Sequence, residues 1–227
     1  MVYEFDFAVV FERWPLLLEG VWVTLKLTVL ATVLGFLLGT VCAIGRTGGP
    51  GWVRSTVSAY VEIIRNTPLL IQSYFLIFGM ASIGLRIPIF IGASMALVIN
   101  IGAYTTEIMR AGIESIQRGQ IEAAECLGLS RMQVYLHVVL RPAMERMYPA
   151  LTSQYVLLML ASSILSAVGV DELFGIANRI QSDTFRNFEV FVVLGATYFM
   201  LSIMVRSALT LLGWILFTRR RRLGTSL

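Results

Sequence analysis

Charged and amide side chains are sparse in the apolar parts of this sequence, and their spacing limits the chemistry open to them. In "IIRNTPLLIQ", Arg65 and Thr67 sit on either side of Asn66 and just before Pro68. Proline has no amide proton and loosens a helix, which frees carbonyl oxygens to meet polar ligands. Arginine grips a carboxylate through two parallel hydrogen bonds, so Arg65 and Thr67 could line a path for a carboxylate-bearing solute. Arg65 also lies three residues from Glu62, and the two could form an ordinary ion pair on one helical face. Both readings stand on the sequence. Asn100 and Tyr104 share a helical face, as do Ser162 and Ser166, with Ser163 beside them. These are further candidates for a polar path, although such groups in apolar helices more often bond across helices or permit close packing.

The same inventory excludes most catalysis. His137 is the single histidine, and the two cysteines, Cys42 and Cys126, have no metal-ligand spacing and read as ordinary buried thiols. Lys26 is the only lysine and no G-x-x-x-x-G-K-[ST] occurs, so the chain has no phosphate loop of that kind and no cofactor of its own is expected.

The elements that hold these residues are set by composition. The chain of 227 residues is 57% hydrophobic and 14% charged, with mean hydropathy +0.77, whereas soluble domains carry about 25% charged residues. It reads as one all-α integral membrane domain. A span needs about 20 apolar residues, and the gaps between charges place five transmembrane helices at about 16–45, 57–82, 87–110, 147–170 and 188–217. Lys26 can snorkel toward the outer surface. Glu107 and Arg110 can pair at the inner end of the third span, and Arg206 in the fifth has either an interior partner or an early inner boundary.

Eleven arginines fall in one set of connecting segments (Arg46, Arg54, Arg110, Arg118, Arg131, Arg141, Arg146, Arg219 to Arg222) and four in the other (Arg13, Arg86, Arg179, Arg186). The positive-inside rule then puts the N-terminus outside and the C-terminus in the cytoplasm. The "RRRR" run also suits anionic lipid. Nucleic-acid binding is excluded by the lack of a basic soluble domain.

The longest inner segment, about 111–146, contains "GQIEAAECLGLSR". Gly119 can close the preceding turn, "QIEAAECL" forms a short helix, and Gly128 ends it in the left-handed region. Ser130 and Gln133 make a capping box that opens a second helix. A helix of two turns is marginal alone and needs docking. On the outer side, "ELFGIANRIQ" is amphipathic and lies along the surface.

"EAAECLG", its flanks from "AYTTEIMRAGIESIQRG" to "RMQVYLHVVL", "IIRNTPLLIQ", "VGVDEL" and "ANRIQSDTFRNFEVF" together resemble the polar amino acid permeases of bacterial ABC importers, of the histidine/glutamine/glutamate type. The resemblance covers about Gly20 to Arg206. It implies a type I ABC importer permease fold in the bacterial inner membrane. Glu122, Ala123, Ala124 and Gly128 would form a coupling helix seated on a partner ATPase. ATP and Mg would be held by two ATP-binding subunits, a second permease of the same or a similar chain would complete the path, and an extracytoplasmic amino-acid-binding protein would deliver a polar L-amino acid. Three departures are visible: Asn66 replaces a glycine, Arg141 takes the place usual for proline with Pro142 one later, and Leu160 and Ala161 stand where a Lys-Asp pair is common. Two other readings remain on the residues alone. A self-contained secondary amino acid transporter or channel would need carboxylates within the spans or a repeat. A membrane enzyme would need a nucleophile and base.

Overall fold

The computed structural model describes residues 4–217, and every regular element in them is helical. The "RRRR" run lies outside the described residues. In chain order the helices are α1 (Ala8–Phe11), α2 (Trp14–Gly48), α3 (Gly51–Arg65), α4 (Leu69–Ser82), α5 (Ile89–Glu114), α6 (Arg118–Cys126), α7 (Arg131–Val168), α8 (Leu173–Thr184) and α9 (Asn187–Leu216). Four of them, α2, α5, α7 and α9, are long and apolar enough to cross a membrane. The charge spacing predicts a fifth span at 57–82. That stretch is instead broken into α3 and α4 around Asn66, Thr67 and Pro68. Pro68 takes ψ 139°, an extended conformation, and caps the start of α4. The residue ahead of a proline is pushed out of helical geometry, so the break follows from the sequence there.

The bundle is closed by small residues on α2 and α5. A Cβ added at Gly39 would lie 2.6 Å from the side chain of Thr105, and one at Gly35 would lie 2.1 Å from Ile101. Without a hydrophobic drive between helices in lipid, such close backbone approach supplies the contact energy. Leu27, Leu97, Ile101, Leu151 and Leu165 fill one core between α2, α5 and α7. A second core joins Leu17 and Met159 to the apolar face of α8 and to Val190 and Leu194 of α9. The side of the bundle left open is apolar too, with Val29, Val33, Leu37, Phe199 and Ile203 among many exposed large side chains, as lipid contact requires.

Helix α8, expected to lie along the outer surface, does not merely lie along a surface. Leu173, Ile176, Ala177 and Ile180 are buried against α2 and α9. Glu172, with no exposed surface, caps it by accepting from the amides of Phe174 at 3.0 Å and Gly175 at 2.8 Å. The Tyr198 hydroxyl donates to the same carboxyl at 2.8 Å, and the Leu173 amide donates to Thr24 Oγ1 at 3.1 Å. Burial pushes the Glu172 carboxyl above the usual carboxylate range, against these hydrogen bonds.

Two expectations for the loop at about 111–146 change. The helix opened by Ser130 does not end within the loop but runs on without interruption through α7 to Val168. Its turns widen to the π pattern over Val134–Leu140, immediately before Arg141 and Pro142. Pro142 cannot donate to the carbonyl four residues back, and a wider turn hands that acceptor to a later amide, so the helix continues past the proline. Gly119 lies inside the first turn of α6; the preceding helix has already closed at Ser115.

Candidate functional site

Two regions gather the candidate residues. The first is the break between α3 and α4 where it meets α5. Here Arg65 is exposed, and its guanidinium lies 5.4 Å from the centre of the Tyr104 ring. No ion pair joins it to Glu62 among the described residues, so the expected pairing on one helical face is not formed and a cation–π contact replaces it. Thr67 is exposed beside it and donates to the Ile63 carbonyl at 2.8 Å. Asn100 sits one turn before Tyr104 on α5 and donates to Gln72 Oε1 at 3.0 Å. Gln72 in turn donates from Nε2 to the carbonyl of Ile64 at 2.8 Å, to the carbonyl of Thr67 at 3.0 Å and to Thr67 Oγ1 at 2.9 Å. Arg65, Thr67, Asn100 and Tyr104 are thus brought together. Gln72, not singled out by its type alone, joins them. The signal for it was a long amide side chain four residues past a proline.

The serines of α7 do not join this cluster as expected. The last turns of α7, Ser162–Val168, tighten to the 3₁₀ pattern. With three residues per turn, Ser163 stacks on Ser166 and not Ser162 on Ser166. Ser162 is fully buried and donates to the Met159 carbonyl at 2.7 Å, so it lines no open surface. Ser163 is half-buried and donates to Leu160 at 2.7 Å. This segment still touches α4, where the Tyr74 hydroxyl donates to the Ala167 carbonyl at 3.4 Å.

The second region is the loop between α5 and α7, with α6 in it. Gly128 has φ +80°, and the amides of Gly128 and Leu129 donate to the carbonyls of Glu125 at 2.9 Å and Ala124 at 3.2 Å. That pair of bonds closes the end of α6 and requires the left-handed residue. The Ser130–Gln133 capping box forms in both directions. Of the four expected coupling residues, Glu122, Ala123 and Gly128 are exposed, but Ala124 is 6% exposed and faces the chain's own bundle. It is a foot of the helix and not part of its outer face. Leu127 is 80% exposed at the tip, and Cys126 is exposed beside it, not buried. The loop is tied at its base, where Arg146 donates to the Ser115 carbonyl at 2.7 Å. Above that, Glu107 on α5 receives Arg46 of α2 at 2.6 Å and also pairs with Arg110, which pairs in turn with Glu114. The expected Glu107–Arg110 anchor therefore forms and reaches α2 as well.

Residues 31–221 match the family described as binding-protein-dependent transport system inner membrane component. The chain belongs to that family. Along its length the permease is similar to an octopine transport system permease protein of Rhizobium radiobacter, 33% identical over 96% of this chain and 92% of that protein. It is 34% identical to a glutamine transport system permease protein of Escherichia coli K12, over 89% of this chain and 93% of that protein. In structure it overlays a crystallised amino acid ABC transporter with a TM-score of 0.86 at 34% identity, covering 93% of this chain and 99% of that one. A chain of the MetNI methionine ABC transporter, 24% identical, shares the fold with a TM-score of 0.72 over 89% of the permease and 96% of that chain. The fold is the all-helical one of type I ABC importer permeases, and the chain is an ABC transporter permease with several membrane-crossing helices.

The remaining expected residues settle as follows. Arg206 is exposed on α9 and has no carboxylate within ion-pair reach among the described residues, so it has no interior partner. It lies 19 residues from the start of α9, about 28 Å along the axis, close to the thickness of a hydrocarbon core of about 30 Å. His137 faces the Gln133 carbonyl at 3.1 Å within its own helix. Lys26 stands over the Trp22 ring at 5.1 Å, a cation–π contact within α2.

Proposed function

We propose that the permease carries polar L-amino acids through the inner membrane as one wall of an ABC importer, with ATP hydrolysed on separate subunits. One observation carries the substrate reading. Arg65 stands at an interrupted helix, in the open, with an aromatic ring behind it and no carboxylate opposing it among the described residues. A free planar cation at a break in the wall suits the α-carboxylate that every amino acid presents. The relatives named for glutamine and octopine transport support amino acids as the solute class.

The remaining parts belong to the same reading. An exposed wall needs a facing one, so a second permease, identical or similar, closes the path. The outer face of α6, with Glu122, Ala123, Cys126 and Leu127, seats on one of two ATPases that bind ATP and Mg. A binding protein meets the outer face, and the N-terminus lies outside with the C-terminus in the cytoplasm, as the arginine asymmetry between the connecting segments favours. The test is ATP-driven uptake by the assembled transporter in proteoliposomes, with its binding protein and a panel of labelled amino acids. Arg65→Ala abolishes uptake while permease and ATPase still co-purify. Loss of the complex instead would make Arg65 structural, and uptake by the permease alone without ATP would overturn the importer reading.

A further inference from the structure

We propose that Gln72 is the positioning residue of the broken helix: its side-chain amide supplies the donor that Pro68 lacks and, through Asn100, fixes the path-facing end of α3 against α5. A helix end in apolar surroundings leaves carbonyl oxygens that need partners. At the end of α3 the Glu62 carbonyl receives the Asn66 amide at 3.1 Å and Asn66 Nδ2 at 2.8 Å. The Ile63 carbonyl receives the Thr67 hydroxyl at 2.8 Å. Both donors come from the break itself. The Ile64 carbonyl is the one that residue 68 would serve in an unbroken helix, and proline has no proton to give. Gln72 Nε2, from the far side of the break, meets it at 2.8 Å.

The orientation of the Gln72 amide is dictated by its neighbours. Nε2 faces the Ile64 and Thr67 carbonyls and Thr67 Oγ1, all acceptors here. Turning the amide over would set its oxygen against two carbonyls. Oε1 must then face α5, where Asn100 Nδ2 donates to it at 3.0 Å. One side chain therefore ties three pieces together: the end of α3, the start of α4 and the middle of α5. Arg65 is the residue after Ile64, and its partner Tyr104 is one turn after Asn100 on α5. The two contacts are neighbours, so releasing the first frees the second. This last step rests on Arg65 lining the path; the joint itself does not.

The test uses the assembled transporter with its binding protein in proteoliposomes. Gln72→Met keeps the length and removes the amide. Gln72→Glu keeps the shape and removes the donor. Amide hydrogen exchange over 60–76 reports the joint, and initial uptake rate reports its use. Both variants speed exchange there and cut uptake about tenfold or more, as expected when the part-buried Ile64 carbonyl loses its 2.8 Å donor and keeps only the Thr67 hydroxyl at 3.4 Å. Gln72→Glu does no better than Gln72→Met, although a packing role would be rescued by the conserved shape. Combined with Arg65→Lys, Gln72→Met lowers uptake no further than the worse single change, because both act at one place. Unchanged exchange refutes the joint, and fully multiplicative losses refute action through Arg65. Should Gln72→Met fail to assemble, Asn100→Ala cuts the same link from the α5 side. Normal uptake in Arg65→Ala would strike the substrate reading alone, since exchange still judges Gln72.

Discussion

Gly128→Ala isolates the corner that ends α6, the proposed coupling helix. Gly128 holds φ +80°, and nothing lies within 4 Å of where its Cβ would be. The cost of the methyl is therefore conformational and not steric. The left-handed region costs an L residue about 1–2 kcal/mol, so the population of the closed corner falls roughly 5–30-fold relative to its alternatives. Gly119 offers the matched control. It lies in the first turn of α6 with the same open space and an ordinary backbone conformation. Alanine there favours the helix by up to about 0.5–1 kcal/mol. One chemical change thus has opposite signs nine residues apart, at the start of α6 and just past its end. The assay is amide exchange over 118–129 in the assembled transporter, together with amino acid imported per ATP hydrolysed. Gly128→Ala speeds exchange and lowers the ratio, Gly119→Ala slows exchange and preserves it, and Gly128→Asn restores part of the loss because asparagine tolerates the left-handed region. Equal effects of the two alanines, or none from Gly128→Ala, would refute a rigid corner as the element that conveys force.

Further outcomes follow from the same geometry. A cross-linker on the native Cys126, or on Ala123→Cys, captures the ATPase, whereas Ala124→Cys does so poorly because residue 124 faces the permease's own bundle; equal capture from 123 and 124 would contradict that placement. Gly39→Leu drives a side chain into Thr105 and the Gly102 carbonyl, 2.6 Å and 2.9 Å from the added Cβ. Overpacking of this kind costs about 1–3 kcal/mol or more, read as a lower melting temperature of the purified permease; an unchanged melt would mean that α2 and α5 do not meet there. The Glu172 carboxyl is raised above its ordinary value of 4.5 by burial, so its protonated form favours the docked α8. Its contribution is fully present below that ordinary value and is lost as pH rises through the raised one. Melting temperature of the wild type measured against Glu172→Gln therefore falls with rising pH across that window, and a rise would show that the carboxylate is the form preferred.

Much of this protein is written in neighbours within a few positions of one another. The uncharged stretch from Leu27 to Gly45, the capping box at Ser130 and Gln133 and the left-handed Gly128 depend on local rules, and the structure shows each of them. Charge spacing also marked four of the membrane-crossing helices, because hydrocarbon admits few charges. The broken span was half legible: Pro68 announced a disturbance but not that α3 and α4 would separate.

What the sequence could not decide were choices between competing partners. Arg65 had Glu62 one turn away and took Tyr104 on another helix. Ser162 and Ser166 share a face in an α-helix but not in the tightened 3₁₀ turns that the structure adopts. Ala124 resembles Ala123 in every local respect, and only the packing of α6 on the bundle buries one and exposes the other. Gln72 is an unremarked amide until Ile64, Thr67 and Asn100 converge on it from three directions. Helical period and composition determine which side chains share an element. Which of several near-equal contacts is made depends on distances of a few ångströms between elements, and those are settled only when the bundle closes.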